Sequence, residues 1–355
     1  YGQDAVGAVV RVVGGGSARG RSAGRGPAAP LASAARYGFE HVLGESDSIV
    51  HATALARMAA RNDLPVVLLG ESGTGKELFA QAIHSASARG GGPFIAVNCG
   101  SIPATLLEAE LFGYEAGTFT GARKEGSAGK FEEACGGTLF LDEVSELSPQ
   151  AQTALLRVLQ EREVVRLGGS TPRRVDIRVI AASNRSLTEE IRAGRFRSDL
   201  FFRLNVLTIA APPLRERRTD VPLLARAFLR DAEVEVARSG LRFSEEALRA
   251  LSEYPWPGNI RELRNVVLRI AATVPASVIE VAHLPDEVRA AAAPVPGAPS
   301  AAAAPPPAPA APDADRDALL RALDASGWNV ARTAASLHVS RMTLYRWLRR
   351  HGIER

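Results

Sequence analysis

Pro65-Val-Val-Leu-Leu-Gly-Glu-Ser-Gly-Thr-Gly-Lys-Glu77 decides the fold of this 355-residue chain. Four apolar residues, Val66 to Leu69, run into a glycine-spaced loop, and Leu78 to Ala86 beyond it favours a helix. Strand, loop and helix in that order make a phosphate cradle with the pattern GxxxxGK from Gly70 to Lys76. Glycine is needed because backbone N–H groups must turn inward on the phosphates with no Cβ in the way. Lys76 then stands at the positive end of the following helix, within reach of the terminal phosphates. Gly70, Glu71, Ser72, Gly73, Thr74, Gly75, Lys76 and Glu77 are therefore the expected nucleotide-contacting set. A chance GxxxxGK would be a glycine-rich turn between two elements, but the apolar strand before it and the helix after it favour nucleotide binding. Glu77 stands where a Ser or Thr hydroxyl usually touches Mg²⁺, so the ion must be held mostly by other groups.

Outward from the cradle, three more apolar runs read as strands: Pro93 to Cys99, Gly137 to Glu143 and Val175 to Asn184. Strands apolar on both faces and spaced by helical sequence describe a parallel sheet covered on both sides, an α/β nucleotide-binding domain. The third of these four strands delivers Asp142 and Glu143 at its carboxyl end, the edge where ligands bind in an open α/β sheet. Asp142 can hold Mg²⁺, directly or through water, and Glu143 can polarise the water that attacks a γ-phosphate. Asn184, ending the next strand, can hold that water or sense the γ-phosphate. Phosphoryl transfer also needs a pre-placed cation, and Arg195, Arg197, Arg203 and Arg261 are candidates among which spacing does not choose. An arginine cluster flanking Phe201-Phe202 reads equally as a solvated face or a surface between subunits.

Between cradle and acidic pair lies Glu110-Leu-Phe-Gly-Tyr-Glu-Ala-Gly-Thr-Phe-Thr-Gly-Ala-Arg-Lys124. Its glycine hinges and the aromatic Phe119 suit a loop that presents a ring to a partner, or a surface loop whose ring folds back on the sheet. Beyond Pro212-Pro213 the pattern turns helical over Val221 to Arg238, Ser244 to Leu251 and Ile260 to Ala272, with Ser244 as a helix cap. Ala290 to Pro312 is almost entirely alanine and proline, which denies it both a continuous helix and a core and makes it a linker. The remainder reads as three short helices, Asp317 to Ala325, Asn329 to Leu337 and Ser340 to Arg350. A tight turn before a final helix rich in arginine suggests a helix-turn-helix for the major groove. Leu344 and Leu348 share its apolar face, leaving Arg341, Thr343, Arg346, Arg349 and Arg350 for phosphates and base edges.

Composition permits this architecture, since 46% hydrophobic residues can fill a sizeable core and a net charge of +4 allows nucleic acid as a partner without demanding it. No uninterrupted apolar run approaches the roughly 18 residues of a membrane span, so no membrane partner is expected. Cys99 and Cys135 form neither a disulfide framework nor a CxxC metal site; both are expected as small buried thiols in a reduced, cytoplasmic setting. Residues 4–13, ahead of a Gly/Ala/Arg/Ser-rich stretch, read as the closing strand of an upstream domain or as an unstructured tail, and the strand-then-linker order favours the first.

The motifs together closely resemble the bacterial enhancer-binding proteins, AAA+ activators of the sigma-54 form of RNA polymerase. Gly70 to Glu77 is similar to their Walker A segment, Glu77 included, and Gly137 to Glu143 to their Walker B. Gly117, Thr118, Phe119, Thr120, Gly121 and Ala122 resemble the GAFTGA loop that engages sigma-54, with Thr118 in place of the first alanine. The resemblance implies a hexameric or heptameric ring that hydrolyses ATP with Mg²⁺ between subunits, binds double-stranded enhancer DNA and remodels the closed promoter complex. It implies that Arg197 and Arg203 are fingers offered to a neighbour's site, Arg261 the sensor II arginine, Asn184 part of sensor I, and Asn98 the residue coupling Glu143 to nucleotide state. Phe119 and Thr120 would form the sigma-contacting tip. Gly327 to Ala335 and Val339 to Arg346 look like the Fis-type DNA-binding domain, with His338 where glycine is general and Trp347 where lysine is common. Val6 to Val12 resembles the last strand of a PAS or GAF sensory domain.

The expected domains are thus a sensory remnant at 1–16, a linker at 17–36, an AAA+ α/β subdomain at 37–212, a helical lid at 213–275, an Ala/Pro linker at 276–313 and the helix-turn-helix at 314–355. Two other classes remain: a DNA-binding AAA+ regulator that does not engage sigma-54, and a small-molecule P-loop kinase. The terminal basic helix counts against the kinase.

Overall fold

The computed structural model describes residues 35–118, 125–292 and 316–326, together with positions 328, 333, 344, 347, 348 and 351. The strand expected over 4–13, the loop tip from Phe119 to Ala122, and Arg341, Thr343, Arg346, Arg349 and Arg350 lie outside the described residues. The chain divides into two compact units after residue 293.

The first unit is built on a sheet of five parallel strands: β1 (Val66–Leu69), β2 (Phe94–Asn98), β3 (Thr138–Asp142), β4 (Arg178–Ser183) and β5 (Leu207–Ala210). Their order across the sheet is β2-β3-β4-β1-β5. Residue alternation separates two cores. Val67, Leu139, Leu141, Val179 and Ala181 face one layer, while Val66, Leu68, Phe140, Ile180 and Ala182 face the other. The central strands β1, β3 and β4 are covered on both faces, and their middles read as continuous apolar runs, whereas β2 and β5 at the edges are only partly buried.

The second face is covered by α1 (Asp47–Ala60) and α2 (Lys76–Ser85), which bring Ala56, Phe79 and Ile83 into that core. The first face is covered by α3 (Ala104–Phe112), α4 (Pro149–Glu161) and α5 (Ser198–Leu204). Helix α4 starts where its composition directs: the Ser148 hydroxyl accepts from Ala151 N–H at 3.0 Å, and Pro149 holds the first helical position. β1 lies next to both β4 and β5, whereas the chain leaves it to build β2 at the far edge. The loop after β1 therefore opens at the sheet's switch point, where doubly wound folds place ligands.

The lid follows as α6 (Val221–Glu235), α7 (Glu245–Glu253), α8 (Asn259–Thr273) and α9 (Asp286–Ala292) around fully buried Trp256. Ser244 caps α7 as its position suggests, accepting from Ala247 N–H at 3.1 Å. The lid does not stop at 275. Val278 and Ile279 pair with Arg242 and Phe243 in a two-stranded ribbon, and Ile279, Leu284 and Val288 join the Trp256 core. The linker expected from 276 is thus displaced beyond Ala292, because three apolar side chains in that stretch have a core to enter. Cys135 is a second correction. It is exposed, whereas Cys99 is buried as expected. Cys135 follows the one-turn helix Lys130–Glu133, whose Phe131 takes the buried position instead.

In the second unit α10 (Arg316–Ala325) buries Leu319 and Leu323. Leu344 and Trp347 are also buried, with Leu348 partly so. Trp347, where the family pattern commonly has lysine, is therefore a buried residue.

Candidate nucleotide site

A cavity of about 650 Å³ opens where β1, β2 and β3 end beneath the lid. Its floor is the phosphate loop. Gly75, at φ +95, turns the chain into α2 through a left-handed conformation that a side chain would resist. Gly73, at φ +79, lets the lid approach: a Cβ there would lie 2.4 Å from the Gly258 carbonyl oxygen. Lys76 is buried, and its Nζ donates to the Gly70 and Glu71 carbonyls at 2.8 and 2.9 Å. Burial pushes its ammonium below the ordinary lysine range; Asp142 and Glu143 pull the other way and Arg261 adds to the lowering. The amine is held by two neutral carbonyl acceptors that a phosphate can replace.

Asp142 and Glu143 line the same cavity. Asp142 Oδ1 accepts the Glu143 N–H at 3.0 Å, and Glu143 sits in a left-handed conformation at φ 55 that turns it off the strand line. A Cβ on Gly100 would fall 2.2 Å from Glu143 Oε2, so that glycine leaves room for the carboxylate. Asn98 is the register partner of Asp142 and also faces the cavity. Its Oδ1 accepts from Gly100 and Ser101 N–H, both at 2.9 Å, and no hydrogen bond joins it to Glu143 among the described residues. Arg261 reaches in from α8, donating to Ser72 Oγ at 3.0 Å.

Four of the expected residues stand apart. Asn184 follows β4, exposed and outside the cavity wall. Arg197 pairs with Asp199 at 2.7 Å, and Arg203 donates to the Leu159 carbonyl at 3.0 Å; neither lines the cavity of its own chain. Arg195 is held by Glu190 at 2.6 Å. Between Arg197 and Arg203 the ring of Phe202 is 75% exposed.

The structure adds residues that spacing left unmarked. Arg264 and Asn265 of α8 line the cavity, and Asn259 and Arg215 bind the phosphate loop through Glu71. They come from segments more than 140 residues from the loop, and an ordinary Asn-Ile-Arg string carries no sign of what it will meet. At the base of the glycine-hinged loop, Thr118 Oγ1 lies 2.6 Å from the Glu115 carbonyl and 3.1 Å from that of Leu167. Leu167 belongs to the turn between the strands Glu163–Val165 and Pro172–Arg174.

A phosphate loop at a switch point, an acidic pair ending a neighbouring strand and an arginine from a helical lid define a P-loop ATPase of the AAA+ type. Residues 42–210 match the sigma-54 interaction domain, 215–300 the AAA+ ATPase lid domain, and 310–351 the Fis family of bacterial regulatory proteins. The transcriptional regulatory protein ZraR of Salmonella typhi is 43% identical over 315 residues, which cover 89% of this chain and 69% of that protein. The Nif-specific regulatory protein of Azotobacter vinelandii is 43% identical over 318 residues, covering 88% of this chain and 59% of that one. NtrX from Brucella abortus, solved in complex with ATP, superposes with a TM-score of 0.65 at 30% identity, covering 89% of this chain and 71% of that one. The chain belongs to the bacterial enhancer-binding family: it is an ATP-dependent transcriptional activator of the sigma-54 class, an AAA+ ATPase with a separate Fis-type helix-turn-helix.

Proposed function

We propose that the cavity between Lys76, Asp142, Glu143 and Arg261 binds ATP with Mg²⁺ and hydrolyses it, and that the energy is spent on opening promoters held by sigma-54 polymerase. The observation that carries this is the convergence of those four side chains, from three separate segments, on one cavity. The inward-turned N–H groups of Gly73 to Lys76 cradle the phosphates, and Lys76 exchanges the carbonyls of Gly70 and Glu71 for phosphate oxygens. Asp142 offers a hard carboxylate oxygen at the strand end, which suits an ion that takes few protein ligands and fills its shell from phosphates and water. Mg²⁺ bound there would neutralise charge on the β- and γ-phosphates. Glu143 accepts a proton from the attacking water and orients it. Arg261 draws the lid toward the charge on the γ-phosphate.

Arg197 and Arg203 turn away from their own cavity, which supports their service to a neighbour's site in a ring. Asn184 is offered as part of the γ-phosphate sensor, and Asn98 as the residue through which Glu143 follows nucleotide state. Phe119 and Thr120 are the proposed contact with sigma-54, and Arg341, Thr343, Arg346, Arg349 and Arg350 the proposed contacts with enhancer DNA. The proposed setting is the cytoplasm; no described helix is long and apolar enough to cross a membrane.

The test is Lys76→Ala, read in two assays on one preparation. Phosphate release and open-complex formation at a sigma-54 promoter should both be lost. Retention of both would remove the cavity from the function altogether, while intact hydrolysis without promoter opening in the parent protein would favour a regulator that does not engage sigma-54.

A further inference from the structure

The lid closes on the phosphate loop through one buried amide. Asn259, the first residue of α8, is fully buried at φ +53, a left-handed conformation that asparagine adopts more readily than most residues. Its Nδ2 donates to Glu71 Oε2 at 3.1 Å and to the Ser72 carbonyl at 3.1 Å. Its Oδ1 accepts the Leu214 N–H at 2.8 Å. Arg215, next along from Leu214, closes on the same Glu71 carboxylate with both terminal nitrogens at 2.7 Å. The backbone joins in, since Ile260 N–H donates to the Gly73 carbonyl at 3.0 Å. With the Arg261 bond to Ser72 Oγ, three successive loop residues, Glu71, Ser72 and Gly73, are each tied to the lid.

An amide is the group this junction requires. It must accept from one segment and donate to two positions on another, which neither a carboxylate nor an apolar side chain can do. Its removal would leave the buried Leu214 N–H without this acceptor and free the phosphate loop from its buried tie to the lid. Two residues beyond it stands Arg261, whose long side chain is useful only if its helix is fixed relative to the phosphates.

We propose that Asn259 is a positioning residue for ATP hydrolysis: together with Glu71 and Arg215 it clasps the lid to the phosphate loop and so fixes Arg261 over the nucleotide. This rests on the cavity being the ATP site. Asn259 acts through Arg261 and need not touch the nucleotide. Relative motion of lid and loop between nucleotide states is then carried by this clasp, with the Glu71–Arg215 pair as its solvent-exposed half.

The experiment is a pair of double-mutant cycles on the full-length chain, reading kcat and KM for ATP separately. Asn259→Gly keeps the left-handed backbone without strain but deletes the amide. It should lower kcat/KM by about tenfold, the worth of a hydrogen bond to a charged group. On an Arg261→Ala background the same change should cost less than about twofold, because the residue it positions is gone. Asn259→Asp sets a second carboxylate against Glu71 and should be at least as damaging. Adding Glu71→Gln supplies a donor to the new carboxylate and should recover part of that loss but not all of it, since the Ser72 carbonyl still faces an acceptor. Full multiplication of the Asn259 and Arg261 losses, or wild-type kinetics in Asn259→Gly, would overturn the clasp. Glu71→Gln alone, changed at a half-exposed position, keeps the proposal open to refutation if the Asn259 variants do not fold, since it must shift KM or kcat by breaking the Arg215 pair. Lys76→Ala in parallel separates the two failures: hydrolysis that survives it sinks the ATP-site assignment, whereas hydrolysis that it abolishes leaves only the clasp in question.

Discussion

Thr118→Ala sets the first alanine of the GAFTGA pattern into the loop proposed to contact sigma-54, and the structure gives the change a size. The Thr118 hydroxyl lies 2.6 Å from the Glu115 carbonyl and 3.1 Å from the Leu167 carbonyl, so it pins the loop base to the neighbouring hairpin. The pin joins an existing seam, because Glu115 N–H donates to Leu167 at 3.0 Å and Leu167 N–H to Gly113 at 2.9 Å. The room for it comes from Gly168, where a Cβ would lie 2.5 Å from Thr118 Oγ1. One neutral hydrogen bond contributes about 0.5–1.5 kcal/mol net, and a single hydroxyl proton shared between two carbonyls places this one at or below about 1 kcal/mol, roughly a factor of five. Any stroke that carries the loop away from Leu167 must break that bond, whereas alanine has nothing to break. Thr118→Ala should therefore raise open-complex formation per ATP hydrolysed by up to about fivefold, with ATP turnover unchanged. Thr118→Ser should match the parent, and Thr118→Val, which keeps the branch but not the hydroxyl, should follow Ala. The assay is permanganate footprinting of the melted promoter alongside phosphate release. If Ala and Val open no more promoter per ATP than Ser does, the hydroxyl is not a brake on the loop.

Four further outcomes are expected. Glu143→Gln should still bind ATP by fluorescence titration but hydrolyse it about a hundredfold or more slower, the size of a lost general base; equal turnover would assign that role elsewhere. Lys76→Ala and Arg203→Ala chains, each inactive alone, should recover turnover when mixed, because one subunit supplies an intact cavity and the other its finger; no recovery would place Arg203 in its own chain's chemistry. Burial, with the nearby carboxylates of Asp142, Glu143 and Glu146, pushes the Cys99 thiol up to about 12, so iodoacetamide at pH 8 should label only exposed Cys135 until the protein is unfolded, as intact mass would show. Trp256→Ala should destabilise the lid by about 3–5 kcal/mol, since the ring is fully buried and its Nε1 donates to the Leu251 carbonyl at 2.7 Å; hydrogen exchange should rise in α7 and α8 before it rises in the sheet.

The phosphate loop, the acidic pair and four of the sheet's five strands could be read from residue order because each is local; the edge strand Leu207–Ala210, short and half exposed, was not. Val66 to Lys76 carries strand, glycines and cation within a dozen positions, and Thr138 to Glu143 announces a buried strand ending in carboxylates. Ser244 could be read as a cap for the same reason, since a cap and its N–H partner are three residues apart. Other features depend on what the folded chain brings alongside. The stretch past 275 is poor in local signals, yet Ile279, Leu284 and Val288 are lid core because α7 and α8 leave an apolar face for them. Cys135 and Cys99 both stand beside apolar runs, but only Cys99 falls inside the first core. Of four candidate arginines only Arg261 reaches the cavity, a choice made by the lid's approach to Gly73. Asn259 meets Glu71 across 188 positions, and Thr118 meets Leu167 across 49. Periodicity and caps report energies a short segment settles with itself and with water; contacts of that separation are formed only when packed cores bring distant segments together, and no short stretch encodes them.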